Sequence, residues 1–220
     1  MLTAILVDGG FYRKRARALW GEADAKDRAE ELANYCYFHI KESKDYIRPN
    51  LYRIFYYDCE PAVGNAFHPL LNKNINLSKN PICKWTNEFF NELKRKRKFA
   101  LRLGKLSQSK DYTLKPEIMK EILSGKKIKE ELSEHDFRLQ VEQKGVDMKI
   151  GLDISSLAYK KQVQQIVLIS GDSDFVPAAK LARREGIDFI LDPMKMGVTD
   201  DLYEHIDGLR TYTDKVKSHK

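Results

Sequence analysis

The segment IVLISGDSDFVPAAKLARREGIDFIL, residues 166–191, is the most informative part of this chain. It begins with four consecutive branched apolar residues, a pattern typical of a short strand buried on both faces. Residues 174–185 then predict a helix that ends at Gly186, and Pro177 is compatible with its first turn, where amides lack helical acceptors. Residues 187–191 predict a second strand. A strand, a helix and another strand in this order favour two parallel strands joined by a right-handed crossover.

The same alternation extends outward from this segment in both directions. Further strands are predicted over residues 2–7, 51–59, 99–106 and 137–141, and helices over residues 22–40, from Pro81 onward and over 146–160. Strands that alternate with helices predict an α/β fold with a mainly parallel central sheet and helices on both faces. We expect a single domain over residues 1–212, with a partly helical insertion near 107–135 and a flexible basic tail over 213–220.

Composition restricts the classes of protein to which the chain could belong. With 220 residues, 42% of them hydrophobic, it can bury one substantial core. No apolar run approaches the roughly 18 residues of a membrane span, and the positive charges near the start follow the first apolar run, the reverse of a signal peptide. Three widely spaced cysteines favour buried thiols in the cytoplasm over disulfides or zinc. The sequence leaves the oligomeric state open, a homodimer included.

Four aspartates follow predicted strands or begin a predicted helix. Asp8 follows the first strand, Asp172 and Asp174 follow strand 166–169, and Asp147 stands at the start of helix 146–160. Ligands of open parallel sheets bind beyond the carboxyl ends of the strands, so we expect these side chains to meet there. Crowded carboxylates resist ionising together unless a cation neutralises them, and Mg²⁺ or Mn²⁺ suits such oxygen ligands. The alternative for Asp172 and Asp174 is helix capping.

A formal net charge of +7 favours a polyanionic partner such as RNA. Two basic groups are the predicted phosphate contacts, one directly after Asp8 and one around residues 94–105. The predicted RNA-binding residues are Arg13, Lys14, Lys96, Lys98 and Arg102. The alternative for such runs of like charge is a solvated surface.

Four blocks of the sequence carry a resemblance to a known family. They are ILVDGGF at 5–11, FALRLGKL at 99–106, KGVDMKIGLDIS at 144–155 and VLISGDSDFVPAAKLARREGIDFIL at 167–191. Together they resemble the NYN domain of the LabA-like group, a branch of the PIN-like nucleases. The resemblance implies a PIN-like, Rossmann-like three-layer α/β/α sandwich, a pocket that binds Mg²⁺ or Mn²⁺, and RNA cleavage. Matching residues place the catalytic and metal-binding site at Asp8, Asp147, Asp172 and Asp174. Asp153 is a weaker metal ligand because it lies six helical positions beyond Asp147.

Three functions are compatible with these residues. The first is a metal-dependent ribonuclease that hydrolyses phosphodiester bonds in single-stranded or unpaired RNA. The second is a module that retains the acidic pocket but binds RNA or a nucleotide without cutting it. The third, a haloacid-dehalogenase-like phosphatase, requires a second aspartate two positions after Asp8, where this chain has Gly10.

Overall fold

A seven-stranded sheet forms the centre of the computed structural model, which describes residues 1–42, 49–107 and 111–216. The strands are β1 (Leu2–Asp8), β2 (Asn50–Cys59), β3 (Asn65–His68), β4 (Lys73–Asn76), β5 (Phe99–Leu106), β6 (Asp111–Leu114), β7 (Phe137–Gln140), β8 (Gln143–Lys144), β9 (Gln165–Ile169), β10 (Asp188–Asp192) and β11 (Gly208–Leu209). The order in the central sheet is β11-β10-β9-β1-β2-β5-β8. All neighbours in this sheet are parallel except β5 and β8, which are antiparallel.

Helices cover both faces of the sheet. They are α1 (Gly9–Trp20), α2 (Ala25–Lys41), α3 (Pro81–Arg95), α4 (Pro116–Leu123), α5 (Val146–Tyr159), α6 (Val176–Arg184) and α7 (Asp200–Glu204). Side chains of α1, α2 and α3 pack on one face, and those of α5 and α6 on the other. Along β1, Leu6 contributes to one core and Val7 to the other, which is why this strand is apolar throughout. The predicted α/β fold with a mainly parallel sheet is confirmed, and it is consistent with a PIN-like α/β/α sandwich.

Helix α1 is an element that the sequence analysis did not predict. It starts immediately after Asp8, whose carboxylate caps it by accepting a hydrogen bond from the Phe11 amide at 3.1 Å. Tyr12, Ala16 and Trp20 recur every four residues and are buried. The signal was therefore present, but the two glycines and four basic residues of this segment concealed it.

The region predicted as an insertion contains β6 and α4, and β7 follows it. Phe137–Gln140 is the strand predicted over 137–141, but it pairs with β6 in a separate two-stranded sheet and not with the central sheet. The hairpin formed by β3 and β4 lies beside this sheet, and the ring of His68 is 4.7 Å from Tyr112 and 4.9 Å from Phe137. The β3–β4 hairpin therefore packs against the β6–β7 pair, whose strands are connected through α4, near the end of β5.

The predicted tail begins in a packed turn. Thr213 is buried, and its carbonyl accepts a hydrogen bond from the Trp20 indole at 3.1 Å. Residues 217–220 of the predicted tail lie outside the described residues. The three cysteines are free and buried, as expected from their spacing. No helix in the described parts of the chain combines the length and apolar character needed to cross a membrane.

Candidate active site

The candidate site lies where β1 and its parallel neighbour β9 end. Asp8 is the last residue of β1, and Asp172 and Asp174 follow β9 by a few residues. Asp147 lies in the first turn of α5, which packs on the sheet face that receives the Leu6 side chain. Because parallel strands end at the same edge, the fold brings these four aspartates to one side of the sheet.

Asp8 is the most enclosed of the four carboxylates. One oxygen, Oδ1, accepts the Phe11 amide, and the other, Oδ2, accepts the Ser170 hydroxyl at 3.3 Å. The pKa of Asp8 is raised above its ordinary value, mainly because burial disfavours the charged form and further because the negative charges of Asp147 and Asp58 lie nearby. The two hydrogen bonds oppose this rise without cancelling it.

Asp147 couples Asp8 to the aspartates that follow β9. Its pKa is raised first by partial burial and then by repulsion from Asp172 and Asp174. Asp147 therefore interacts with Asp8 on one side and with Asp172 and Asp174 on the other. The four carboxylates form one electrostatically coupled group, which we call the acidic edge.

The acidic edge forms no ion pair with a described side chain, although Asp8 and Arg13 attract each other from a longer distance. Among residues 1–42, 49–107 and 111–216, no lysine or arginine nitrogen lies within 4.0 Å of a carboxylate oxygen of Asp8, Asp147, Asp172 or Asp174. Several other carboxylates do form ion pairs, among them Asp58 and Asp153. The closest contrast is Asp136, whose pKa is lowered to about 2 by hydrogen bonds from Lys127 and Ser133.

This donor set fits a hard divalent cation. The ligands are carboxylate oxygens, none of which forms an ion pair with a described lysine or arginine, and Mg²⁺ commonly uses one or two carboxylates together with several waters. No three of the four place ligand oxygens within 4.8 Å of one another. Within the described chain, only Asp201, Glu204 and His205 meet that spacing. The acidic edge therefore suits an ion whose coordination is completed by water or phosphate. It is less suited to an ion that is coordinated by protein atoms alone.

Asp172 has a structural role as well. Its carboxylate accepts the Asp174 amide at 3.0 Å and caps the short 3-10 turn Ser173–Phe175, while its own amide donates to the Ser170 hydroxyl at 3.3 Å. Because the same hydroxyl donates to Asp8, Ser170 connects the ends of β1 and β9. The capping alternative is thus correct for Asp172, and capping leaves its second oxygen available to other ligands.

Asp58, in the penultimate position of β2, is a neighbour of the site that the sequence analysis did not select. It is fully buried and accepts hydrogen bonds from Arg13 at 3.0 Å, the Tyr56 hydroxyl at 3.0 Å and the Cys59 amide at 2.8 Å. Burial is the main cause of its raised pKa, and the Arg13 charge opposes the rise. The rule that found Asp8 also applies to Asp58, because β2 runs parallel to β1 and ends beside it.

Three of the predicted RNA-binding residues, Arg13, Lys14 and Arg102, lie near the site, and their surroundings differ from one another. Arg13 is engaged with buried Asp58, and Lys14 is exposed on α1. Arg102 forms an ion pair with Asp153 at 3.0 Å, and Asp153 also accepts the Tyr57 hydroxyl at 2.8 Å. Asp153, the weaker metal candidate, therefore has two protein partners of its own.

Lys96 and Lys98 lie away from the acidic edge. Arg102 is level with Asp8 across the sheet, and Lys98 precedes Arg102 by four residues, about 13 Å at the usual rise of a strand. Both lysines come before β5 and so lie at the amino ends of the parallel strands. There Lys96 pairs with Glu30, and Lys98 donates to a backbone carbonyl. The fold does not bring these two lysines to the four aspartates.

Comparisons with known proteins complete the description of the site. No curated protein matches the sequence. Among solved structures, a protein of unknown function from Vibrio parahaemolyticus is similar, with 16% sequence identity, a TM-score of 0.49 and alignment over 98% of this chain and 94% of that one. The family profile described as the NYN domain matches residues 78–199, which include Asp147, Asp172 and Asp174. Because this match spans more than half of the sequence, the chain belongs to the NYN domain family.

Proposed function

We propose that this protein is a ribonuclease that uses Mg²⁺ or Mn²⁺ to hydrolyse phosphodiester bonds in RNA. NYN domains belong to the PIN-like nuclease superfamily, which suggests a nuclease. The observation that carries the proposal is the acidic edge, where four coupled carboxylates form no ion pair with a lysine or arginine of the described residues. Such a group is costly to fold unless a cation from solution binds it.

The proposed roles follow from the surroundings of each side chain. Asp8, Asp147, Asp172 and Asp174 would hold the divalent ion, and Ser170 would fix the orientation of Asp8 through its 3.3 Å hydrogen bond. When bound, such an ion lowers the pKa of a coordinated water and offsets the charge that develops on phosphorus oxygens. Asp153 is a less favourable ligand because Arg102 and Tyr57 already occupy its carboxylate.

The finer parts of the proposal concern the substrate and the setting. We include membership of the LabA-like group and RNA as the substrate, which the four resembling sequence blocks support. We also include a cytoplasmic location, which the free cysteines support. For phosphate contacts, Lys14 and Arg102 are better placed than Lys96 and Lys98, because Arg102 is level with Asp8 and Lys14 follows it on α1. Arg13 would act through Asp58, its buried partner.

The test is cleavage of a labelled RNA by purified protein in Mg²⁺ or Mn²⁺. We expect Asp172→Asn to lower the rate on the order of 100-fold, because the substitution removes one charged ligand. The matched control is Asp200→Asn, which removes one exposed carboxylate in the first turn of α7. Cleavage by Asp172→Asn at the wild-type rate would contradict the proposal.

The non-cleaving alternative is favoured by one observation, the spacing of more than 4.8 Å within every trio of these carboxylates. It makes a different prediction for the same preparation. If wild-type protein binds RNA with a steep salt dependence but cuts it in neither metal, the module is a binding protein and the ribonuclease proposal is wrong.

A further inference from the structure

A cavity of about 910 Å³ lies beside the acidic edge. It is bounded by the end of β5, by β8, by the β6–β7 pair and by the start of α5. Its lining includes three exposed lysines, Lys105, Lys144 and Lys149. The sequence analysis included Lys105 in the basic group around residues 94–105, but it did not select Lys144 or Lys149. We call this cavity the lysine groove.

Two of these lysines repel each other across a strand pair. Lys105 of β5 and Lys144 of β8 are directly opposite in the antiparallel register. Side chains in such positions lie on the same face with Cβ atoms roughly 5 Å apart, and like charges there are destabilising. A negatively charged ligand between the two ammonium groups would relieve that repulsion.

The three lysines are also not neutralised by the protein. Within the described ranges, none of them has a carboxylate oxygen within 4.0 Å, whereas Lys96 and Lys127 each form an ion pair. Two carboxylates, Asp111 and Glu142, line the same cavity. The groove therefore retains three separate cationic groups that are available to an anion.

The lysine groove leads to the acidic edge. Gly145, with a positive φ of 79°, turns the chain between Lys144 and α5. Lys144 precedes Asp147 by three residues and Lys149 follows it by two. Gln143 of β8 approaches the other end of the acidic edge, since its Oε1 would lie 3.9 Å from a Cβ on Gly10. A ligand in the groove would thus extend from the β6–β7 pair toward Asp147.

We propose that the lysine groove binds the backbone of one nucleic-acid strand next to the bond that is cut, an inference that rests on the proposed function. Repeating phosphates match three separated cations better than a single small anion does, because a strand carries one charge per nucleotide. A groove of about 910 Å³ has room for part of one strand. The β6–β7 pair, which lines the groove, would then favour single-stranded substrate over a duplex.

Binding measured without cleavage tests this inference separately from the nuclease. Fluorescence anisotropy of a labelled 12-nucleotide RNA is followed in EDTA at several salt concentrations, for the wild type and for the double variant Lys105→Gln/Lys144→Gln. If each lysine contacts one phosphate, the slope of log K against log salt should become shallower by about 1.4. The control Lys26→Gln/Lys160→Gln removes two exposed charges elsewhere and should leave the slope unchanged.

Two further measurements extend the test. Glu142→Gln removes a carboxylate from the groove and should tighten binding of the same RNA, and a blunt duplex of the same sequence should bind more weakly than the single strand. Either Lys105→Gln or Lys144→Gln should raise the thermal midpoint at low salt, because each relieves the cross-strand repulsion. This rise would exclude misfolding as the cause of weaker binding.

The inference is wrong if the double groove variant loses no more affinity or salt dependence than the control pair, or if duplex binds as well as single strand. Its failure is distinct from that of the nuclease. Groove variants that bind and cut like the wild type overturn this inference alone. Groove-dependent binding together with cleavage that survives Asp172→Asn overturns the proposed function alone.

Discussion

The two roles of Asp8 can be separated by comparing Asp8→Asn with Asp8→Ala. As a cap, Asp8 accepts the Phe11 amide at the start of α1. As part of the acidic edge, it carries a negative charge that burial and Asp147 disfavour. Asparagine keeps a capping oxygen and removes the charge, whereas alanine removes both.

The size of the capping effect follows from the contact that is lost. Replacing an aspartate or asparagine cap by alanine costs about 1 kcal/mol of stability. For a chain of this length, 1 kcal/mol shifts the thermal midpoint by about 2–4 °C. Without metal at pH 7, we therefore expect Asp8→Ala to melt about 2–4 °C below Asp8→Asn.

The charge has the opposite effect on stability, and its sign follows from the raised pKa of Asp8. An acid whose pKa is higher in the folded chain stabilises folding fully below its ordinary value of 3.8, and this contribution is lost as the pH rises through the raised folded pKa. At neutral pH the ionised Asp8 therefore weakens the fold. Asp8→Asn should be more stable than the wild type in EDTA at pH 7, and this advantage should disappear near pH 4.

Metal should reverse that order. An ion at ten times its dissociation constant stabilises the wild type by about 1.4 kcal/mol, since binding to the folded state alone adds RT ln(1 + [L]/Kd). Both Asp8 variants should gain less from Mn²⁺ and should lose RNA cleavage. The measurement is thermal unfolding of the three proteins in EDTA and in Mn²⁺, at pH 4 and pH 7.

One result would refute this reasoning. If Asp8→Asn is no more stable than the wild type in EDTA at pH 7 and gains as much from Mn²⁺ as the wild type does, then the charge of Asp8 neither weakens the metal-free fold nor contributes to ion binding. The capping role would then account for Asp8 completely.

Further predictions concern glycines near the site. A Cβ on Gly9 would lie 2.5 Å from the Tyr57 carbonyl oxygen, so Gly9→Ala should cost about 1–3 kcal/mol in denaturant unfolding. A Cβ on Gly10 would lie 3.5 Å from Oδ1 of Asp8, an ordinary contact distance, so Gly10→Ala should leave the unfolding free energy unchanged. Gly151 has open space around it and lies four positions after Asp147 on α5. Gly151→Lys should therefore pair with Asp147 and weaken Mn²⁺ binding in calorimetry, and Gly151→Gln, which gains helix propensity without charge, should not.

The sequence was sufficient to predict features that depend on local pattern and on one general rule. Short apolar runs separated by helical periodicity predicted the parallel sheet, and the rule that ligands bind beyond strand ends selected Asp8 and Asp172. The structure brings these residues near Asp147 and Asp174, because Asp147 raises the pKa of Asp8, and Asp172 and Asp174 raise the pKa of Asp147. Their role in catalysis stays a prediction.

Features that depend on strand direction or on partners could not be predicted in this way. The basic run that includes Lys96 and Lys98 follows a helix and precedes a strand, and only the parallel pairing of β5 with β2 shows that it lies at the opposite edge. Arg13 was selected for its charge, but its partner Asp58 is 45 positions away in sequence. The pairing of Lys105 with Lys144 likewise requires β8, a strand of two residues that has no detectable sequence pattern.

The arrangement of unpaired charge argues that the acidic edge and the lysine groove serve one ligand. Asp147 and Lys149 are two positions apart on α5, a spacing at which helical side chains do not face each other, so the helix itself keeps them from pairing. Ion pairs between the carboxylates of the acidic edge and the lysines of the groove would stabilise the fold. Charges that served only solubility could form such pairs at no cost to function. The chain instead keeps the carboxylates of the acidic edge and the lysines of the groove without ion pairs among the described residues, which is the charge distribution required by a ligand that brings a cation and phosphates together.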